Sequence, residues 1–274
     1  APTYMVALHI ARAYGARVVA VPTDEEGLDP DALEERLRTL KRTGTRPRFL
    51  YVIPSFQNPS GATESEARRH RIVSICERFG VRIVEDHAYA ELDFDGSKLP
   101  SLKSLAPDNV IFIHTFSKIF GPGLRLGWIA AEPALVDAVG LCKLGTDQCA
   151  NSLAQRLTFD YGSRGFIDEQ VETSIELYRR KLDLMEEAMK RHFISEASWV
   201  RPRGGFFVWV RLPESVDTEV LLAKAIEKEK TAFVAGTLFY DDGSGHRFMR
   251  LSFSFVSTDE IEEGVKRLRR ALAC

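Results

Sequence analysis

Thr115-Phe116-Ser117-Lys118-Ile119-Phe120-Gly121-Pro122-Gly123-Leu124-Arg125-Leu126-Gly127 is the stretch that decides the fold. It sets one lysine among hydroxyls, glycines and an arginine, directly after the apolar run Val110-Ile111-Phe112-Ile113. That run reads as a buried strand, so Lys118 is expected just past a strand's carboxyl end, where open α/β sheets hold their ligands. Thr115, Ser117 and the guanidinium of Arg125 can hold a dianion such as phosphate, and Gly121 and Gly123 are expected to let backbone approach closely. Taken alone, a lysine in a glycine turn reads as a solvated surface residue. The rest of the chain decides between the two.

Two further strand ends converge on the same edge. Phe49-Leu50-Tyr51-Val52-Ile53 runs into Pro54-Ser55-Phe56-Gln57-Asn58-Pro59-Ser60-Gly61, a turn that offers the neutral amide of Asn58. Val81-Arg82-Ile83-Val84 ends in Glu85-Asp86-His87-Ala88-Tyr89, so an acid and a phenol emerge on the side of Lys118. Pyridoxal phosphate needs a lysine for its covalent link, a carboxylate to keep the pyridine nitrogen protonated, donors to the ring oxygen, and a phosphate cup. Each need has a candidate here.

With these motifs in order, the chain resembles the fold-type I pyridoxal-phosphate aminotransferases, in the branch of the 2-aminoadipate and kynurenine/aminoadipate aminotransferases. The resemblance runs from Ala1-Pro2-Thr3-Tyr4, through Asn58-Pro59-Ser60-Gly61, Asp86 with Tyr89, and Ser117-Lys118 with Arg125, to Arg250-Leu251-Ser252-Phe253-Ser254. It implies that Lys118 carries the cofactor, Asp86 pairs with the pyridinium, Asn58 and Tyr89 contact the ring oxygen, and Tyr4 stacks on the ring. Thr115, Ser117 and Arg125 are implied for the phosphate, and Arg250, with Asn58, for the substrate α-carboxylate. The implied architecture is α/β, with a mostly parallel large domain over residues 1–175 and a smaller C-terminal α+β domain over 176–274. The implied reaction moves the amino group of an α-amino acid, of 2-aminoadipate, leucine or aromatic type, to a 2-oxo acid such as 2-oxoglutarate. A cytoplasmic homodimer goes with it. Relative to the family, the region before Ala1 is expected to be missing, and with it a glycine-and-serine turn completing the phosphate cup, a substrate-covering arm and residues reaching the partner subunit.

Each residue has a plainer use. Asp86 after a strand can cap a helix, Asn58 before a proline can serve a turn, and Tyr4 and Tyr89 can be packed aromatics. Arg250 between Met249 and Leu251 sits in an apolar strand pattern, where an unpaired charge is costly; its partner is a ligand carboxylate or an internal one. His87 has no assigned role. A rival function is the effector-sensing domain of a GntR/MocR-type transcription regulator, which reuses this fold behind a DNA-binding module. The Gly121-x-Gly123-x-x-x-Gly127 spacing misses the dinucleotide fingerprint by one residue and carries a proline, which disfavours an oxidoreductase.

Composition agrees with a cytosolic enzyme. The 274 residues are 45% apolar, enough for a large core, and 37 basic against 39 acidic residues leave a net charge of −2, with no electrostatic footprint for nucleic acid. No stretch is long enough to span a bilayer. Cys76, Cys142, Cys149 and Cys274 show no Cys-x-x-Cys pairing, which favours reduced thiols, and the six histidines do not cluster at metal-ligand spacing, so no metal site is expected. Helical and strand patterns alternate, as in an α/β layer fold. Helices are expected from Met5 to Tyr14, Glu64 to Phe79 before Gly80, Pro133 to Leu144, Asn151 to Tyr161, Ile167 to Phe193, Thr218 to Lys228 and from Asp259. Further strands are expected at Arg17–Val21, Leu126–Ala131, Phe206–Val210 and Phe248–Phe253.

Overall fold

The computed structural model describes residues 1–273, and Cys274 lies outside the described residues. The chain forms two compact units, one of Glu26–Ser55 and Thr63–Ile175, the other of Ala1–Glu25, Phe56–Ala62 and the chain from Glu176 onward.

The first unit is built on a four-stranded sheet in the order Phe49–Val52, Arg82–Asp86, Val110–Thr115, Gly127–Ala130. The first three strands are parallel and the fourth is antiparallel. Parallel neighbours need crossovers, and the sequence supplies them. The helix Glu66–Phe79 starts where the Ser65 hydroxyl accepts from the Arg68 N–H and stops at Gly80, which takes the left-handed φ of 64° that a helix terminator needs. It buries Ile72, Val73, Ile75 and Cys76. Each large aliphatic side chain so removed from water is worth about 1.5–3 kcal/mol. The second crossover contains the short helix Leu102–Leu105, whose first N–H groups, of Leu102 and Lys103, donate to the fully buried Glu85 carboxylate at 3.0 and 2.8 Å. A carboxylate there meets the positive end of the helix and satisfies donors that have no intrahelical partner. The two crossovers bring the carboxyl ends of three parallel strands to one edge, carrying Asp86 and the segment after Thr115.

The second unit holds an all-antiparallel sheet in the order Ser198–Trp199, Phe207–Arg211, Phe248–Ser252, Val234–Ala235. Val208, Val210, Met249, Leu251 and Phe253 are buried in it. The helices Thr218–Glu229 and Thr258–Ala273 pack against each other. The latter buries Ile261, Val265 and Leu268 at helical spacing while Arg267 and Arg270 pair with Glu263. The long helix Phe166–His192 has residues in both units.

One expected strand is absent. Arg17–Val21 has the β-branched composition of a strand but takes no regular structure, and its side chains are exposed or half-buried. Strand propensity expresses packing against neighbours rather than a backbone preference, and among the described residues no strand pairs with this segment.

Candidate active site

Lys118 lies in the turn that follows strand Val110–Thr115. The Phe116 carbonyl accepts from the N–H groups of Phe120 and Gly121 at 2.9 and 3.0 Å, which folds the chain back at once. The Ser117 N–H donates to Thr115 Oγ1 at 3.1 Å, tying the two expected phosphate hydroxyls into one local structure. Lys118 Nζ stands 5.9 Å from the ring centre of Tyr89, a phenol that is 5% exposed. Cation and aromatic face are thus within the range where they attract. Arg125 is exposed, adopts a left-handed φ of 53°, and donates from Nη1 to the Pro122 carbonyl at 3.2 Å. The glycine on which this segment depends is neither of the two expected. Gly123 faces open space and Gly121 leaves 3.4 Å to the Leu124 side chain, whereas a Cβ on Gly127 would meet the His114 carbonyl oxygen at 2.6 Å. Gly127 pairs with Thr115, so the close approach is that of two antiparallel strands.

Asp86 closes strand Arg82–Asp86 beside Ile113 of the next strand. The Tyr51 hydroxyl, two strands from Lys118, donates to Asp86 Oδ2 at 2.5 Å. Burial pushes the Asp86 carboxyl above the usual carboxylate range, opposed by the Tyr51 hydroxyl, by the charges of His87 and His114 and by the Ala88 N–H. A carboxylate whose desolvation exceeds its protein partners' compensation favours a cation beside it. His87 puts Nδ1 3.6 Å from Glu85 Oε1 and its ring centre 4.8 Å from that of Phe112.

Three expected residues belong to the other unit. Asn58 is 2% exposed, and its Oδ1 accepts from Arg250 Nη1 at 2.7 Å. The Arg250 guanidinium lies 4.0 Å from the ring centre of Phe207 and 5.1 Å from that of Phe239, so two aromatic faces hold its plane. The turn around Asn58 is fixed by Gln57, which donates from Nε2 to the Pro2 carbonyl at 2.8 Å and accepts the Ser60 N–H and hydroxyl at 2.8 and 2.7 Å. Tyr4 is half-buried at the start of the helix Met5–Ala13.

Several residues of the site's support were not singled out from sequence. Arg69, with no exposed surface, donates to the carbonyls of Pro54, Glu64 and Pro100 and to the Ser55 hydroxyl at 2.7–3.0 Å. It therefore pins the chain on both sides of Phe56–Ala62. Glu64, equally buried, has its carboxyl pushed up to about 7 by desolvation, with the Arg69 charge acting against that. Tyr51 had one available signal, the two-residue alternation that puts it on the sheet face of Val84 and Asp86. No helix among the described residues is long and apolar enough to cross a membrane, and no group of three or more His, Cys, Asp or Glu there is arranged to hold a metal ion.

The donor set fits pyridoxal phosphate: a primary amine over a phenol, a half-buried carboxylate in want of a cation, and two hydroxyls tied together in the turn that leads to an arginine. The model of the family described as aminotransferase class I and II matches residues 1–268. The aromatic-amino-acid aminotransferase 1 of Thermococcus litoralis is 38% identical over 99% of this chain and 65% of that protein. A crystal structure of α-aminoadipate aminotransferase from Thermus thermophilus, complexed with N-(5'-phosphopyridoxyl)-L-leucine, is 41% identical over the whole of this chain and 69% of that one, with a TM-score of 0.94. An uncharacterized HTH-type transcriptional regulator of Bacillus subtilis is 29% identical over 97% of this chain and 54% of its own length. The chain thus spans about two thirds of the enzymes it matches and about half of the regulator.

Proposed function

The chain belongs to the class I and II aminotransferases, of fold type I, and on that premise we propose that it moves the amino group of an α-amino acid to a 2-oxo acid with pyridoxal phosphate. The observation that carries the reading is Lys118 and Asp86 beyond and at the ends of adjacent parallel strands, the lysine facing Tyr89 and the half-buried acid bonded to Tyr51. The bound cofactor supplies an electron sink for the charge left when an amino acid loses its α-proton.

The chain's own residues do the rest. Lys118 Nζ would hold the cofactor covalently and, as a free amine, would take the substrate α-proton and return it, as nucleophile and general base. Asp86 would hold a proton on the ring nitrogen of the cofactor. Asn58 and Tyr89 would donate to its ring oxygen, and Tyr4 would cover the ring. Thr115, Ser117 and Arg125 bind the phosphate. Arg250 turns its planar fork to the substrate α-carboxylate, oriented by Asn58 and by the rings of Phe207 and Phe239.

The proposed donor is a 2-aminoadipate-, leucine- or aromatic-type amino acid, supported by the names of the Thermococcus and Thermus relatives, and the proposed acceptor is a 2-oxo acid such as 2-oxoglutarate. A cytoplasmic homodimer, with the functional division at 175/176 into large and small domains, completes the proposal. The regulator alternative has the weaker support, because identity to the enzymes is higher over the same residues. Borohydride reduction of the complete, cofactor-loaded protein should fix the cofactor to Lys118, and Lys118→Ala should abolish both fixation and turnover against a panel of amino acids with 2-oxoglutarate. A peptide map with the cofactor on another lysine refutes the assignment.

A further inference from the structure

A side-chain contact ties the turn bearing Tyr89 to the strand that leads into Lys118. His114, in strand Val110–Thr115, has Nε2 2.6 Å from Oε1 of Glu91, two residues past Tyr89. The His114 side chain is 6% exposed and is boxed by rings: Trp128 stacked at 5.3 Å, Phe112 stacked at 6.1 Å, Phe116 edge-on at 6.1 Å and His87 at 6.0 Å. Packing on so many sides leaves the imidazole little rotamer freedom, so the reach to Glu91 is fixed rather than sampled. Yet His114 Nδ1 and Glu91 Oε2 are buried and find no hydrogen-bond partner among the described residues. Desolvation pushes the Glu91 carboxyl up, but the bond to His114 and that ring's charge outweigh it, so the carboxyl lies below the usual carboxylate range and the fold favours its charged form. What the pair does fix is a spacing: two residues back from Glu91 is Tyr89, four residues on from His114 is Lys118, and ammonium and ring stand 5.9 Å apart. The Leu92 N–H, donating to the Tyr89 carbonyl at 2.9 Å, closes the turn between them.

We propose that His114 and Glu91 are positioning residues, whose contact presents the Tyr89 hydroxyl to the ring oxygen of the cofactor held by Lys118. This rests on the aminotransferase reading above. A phenol donating to that oxygen stabilises its negative charge, and so favours the form of the lysine-linked cofactor that has lost its proton. The pH midpoint of the loaded protein's visible absorbance reads this out. The charged and titratable groups near the pair are Glu85, Asp86 and His87 on one side and Lys118 at the end of His114's own strand. Positioning and simple charge predict opposite signs. Loss of the Tyr89 contact raises the midpoint, whereas removal of a nearby anion disfavours the protonated form and lowers it.

In the complete, cofactor-loaded protein, Glu91→Ala should raise the midpoint by about one unit, the worth of one hydrogen bond. Glu91→Gln, which keeps an acceptor for His114 Nε2–H, should stay near the parent. Glu91→Asp keeps the charge but shortens the reach, so it should behave like Glu91→Ala and provides the test should the alanine variant fold poorly. An unchanged midpoint with a lowered melting temperature makes the pair structural only and overturns the proposal. A midpoint lowered by both Glu91→Ala and Glu91→Gln makes Glu91 a bare charge and overturns it as well. Borohydride mapping of the same samples separates the two levels: cofactor on Lys118 with no positive midpoint shift sinks this inference alone, and cofactor on another lysine sinks the aminotransferase assignment with it.

Discussion

Two arginines of this chain, both assigned to bind anions, are held in opposite ways. Arg250 is half-buried on a sheet strand, its guanidinium against the rings of Phe207 and Phe239 and bonded to the buried Asn58. Arg125 is exposed in a loop, its backbone left-handed and its guanidinium on a neighbouring carbonyl. A desolvated guanidinium is costly unless its donors are used, so the fold that tolerates Arg250 has also aimed it. Solvated Arg125 carries no desolvation cost, and its guanidinium is aimed by little. Position in the dielectric therefore separates groups that set geometry from groups that lend affinity, and substitutions should sort accordingly.

The half-buried acid Asp86 should show the largest effect. In the complete protein Asp86→Asn keeps shape and the Tyr51 contact but removes the negative charge, so turnover should fall roughly a hundredfold or more while the phosphate contacts retain cofactor. Steady-state kinetics beside absorbance-measured occupancy tests this, and equal losses in both would erase the distinction. Arg250→Lys comes next. An ammonium cannot reproduce the planar fork between two rings, so KM for the amino acid should rise roughly ten- to a hundredfold with a smaller change in kcat; a parental KM would put the carboxylate elsewhere.

Much of the edge that carries Lys118 and Asp86 was legible in the sequence. Val110-Ile111-Phe112-Ile113 before Lys118 is an apolar run that reads as a strand, and Ile83 and Val84 give the same reading before Asp86, although Arg82 ahead of them is charged and exposed. The residues that brace them were not. Arg69 and Glu64 have the composition of surface, yet both are buried, and only the tertiary fold brings the carbonyls of Pro54 and Pro100 to Arg69. Gly127 outranks Gly121 and Gly123 because its demand comes from His114 on the neighbouring strand, which no local pattern encodes. Arg17–Val21 failed in the converse way, its composition promising a ladder that no strand among the described residues provides.

Glu64 extends the contrast to stability. Its carboxyl is raised to about 7 from an ordinary 4.5. Between those values the folded chain holds a proton that the unfolded chain has lost, so this residue's contribution to stability falls as pH rises through the window and is constant above it. Glu64→Gln removes the titration, and should leave stability near the parent's at pH 4.5 and exceed it by about 2–3 kcal/mol above pH 7. Denaturant melts at the two pH values decide it, and a difference independent of pH would mean that the acid is not desolvated as described.

The smallest effect belongs to Arg125, where backbone and side chain pull apart. A non-glycine residue in the left-handed region is strained by about 1 kcal/mol, and glycine is not. Arg125→Gly should therefore relieve strain while deleting the guanidinium, whereas Arg125→Ala deletes it and leaves the strain. Both should weaken cofactor binding by about fivefold, in keeping with the modest worth of a solvent-exposed charge contact. The two should differ in melting temperature, with the glycine variant the more stable by a few degrees at most. Cofactor titration followed by fluorescence, beside calorimetry of the cofactor-free proteins, reads the two quantities separately. A hundredfold loss of affinity in both variants would show that Arg125 is as firmly aimed as Arg250, and that its exposure does not mark it as the weaker anchor.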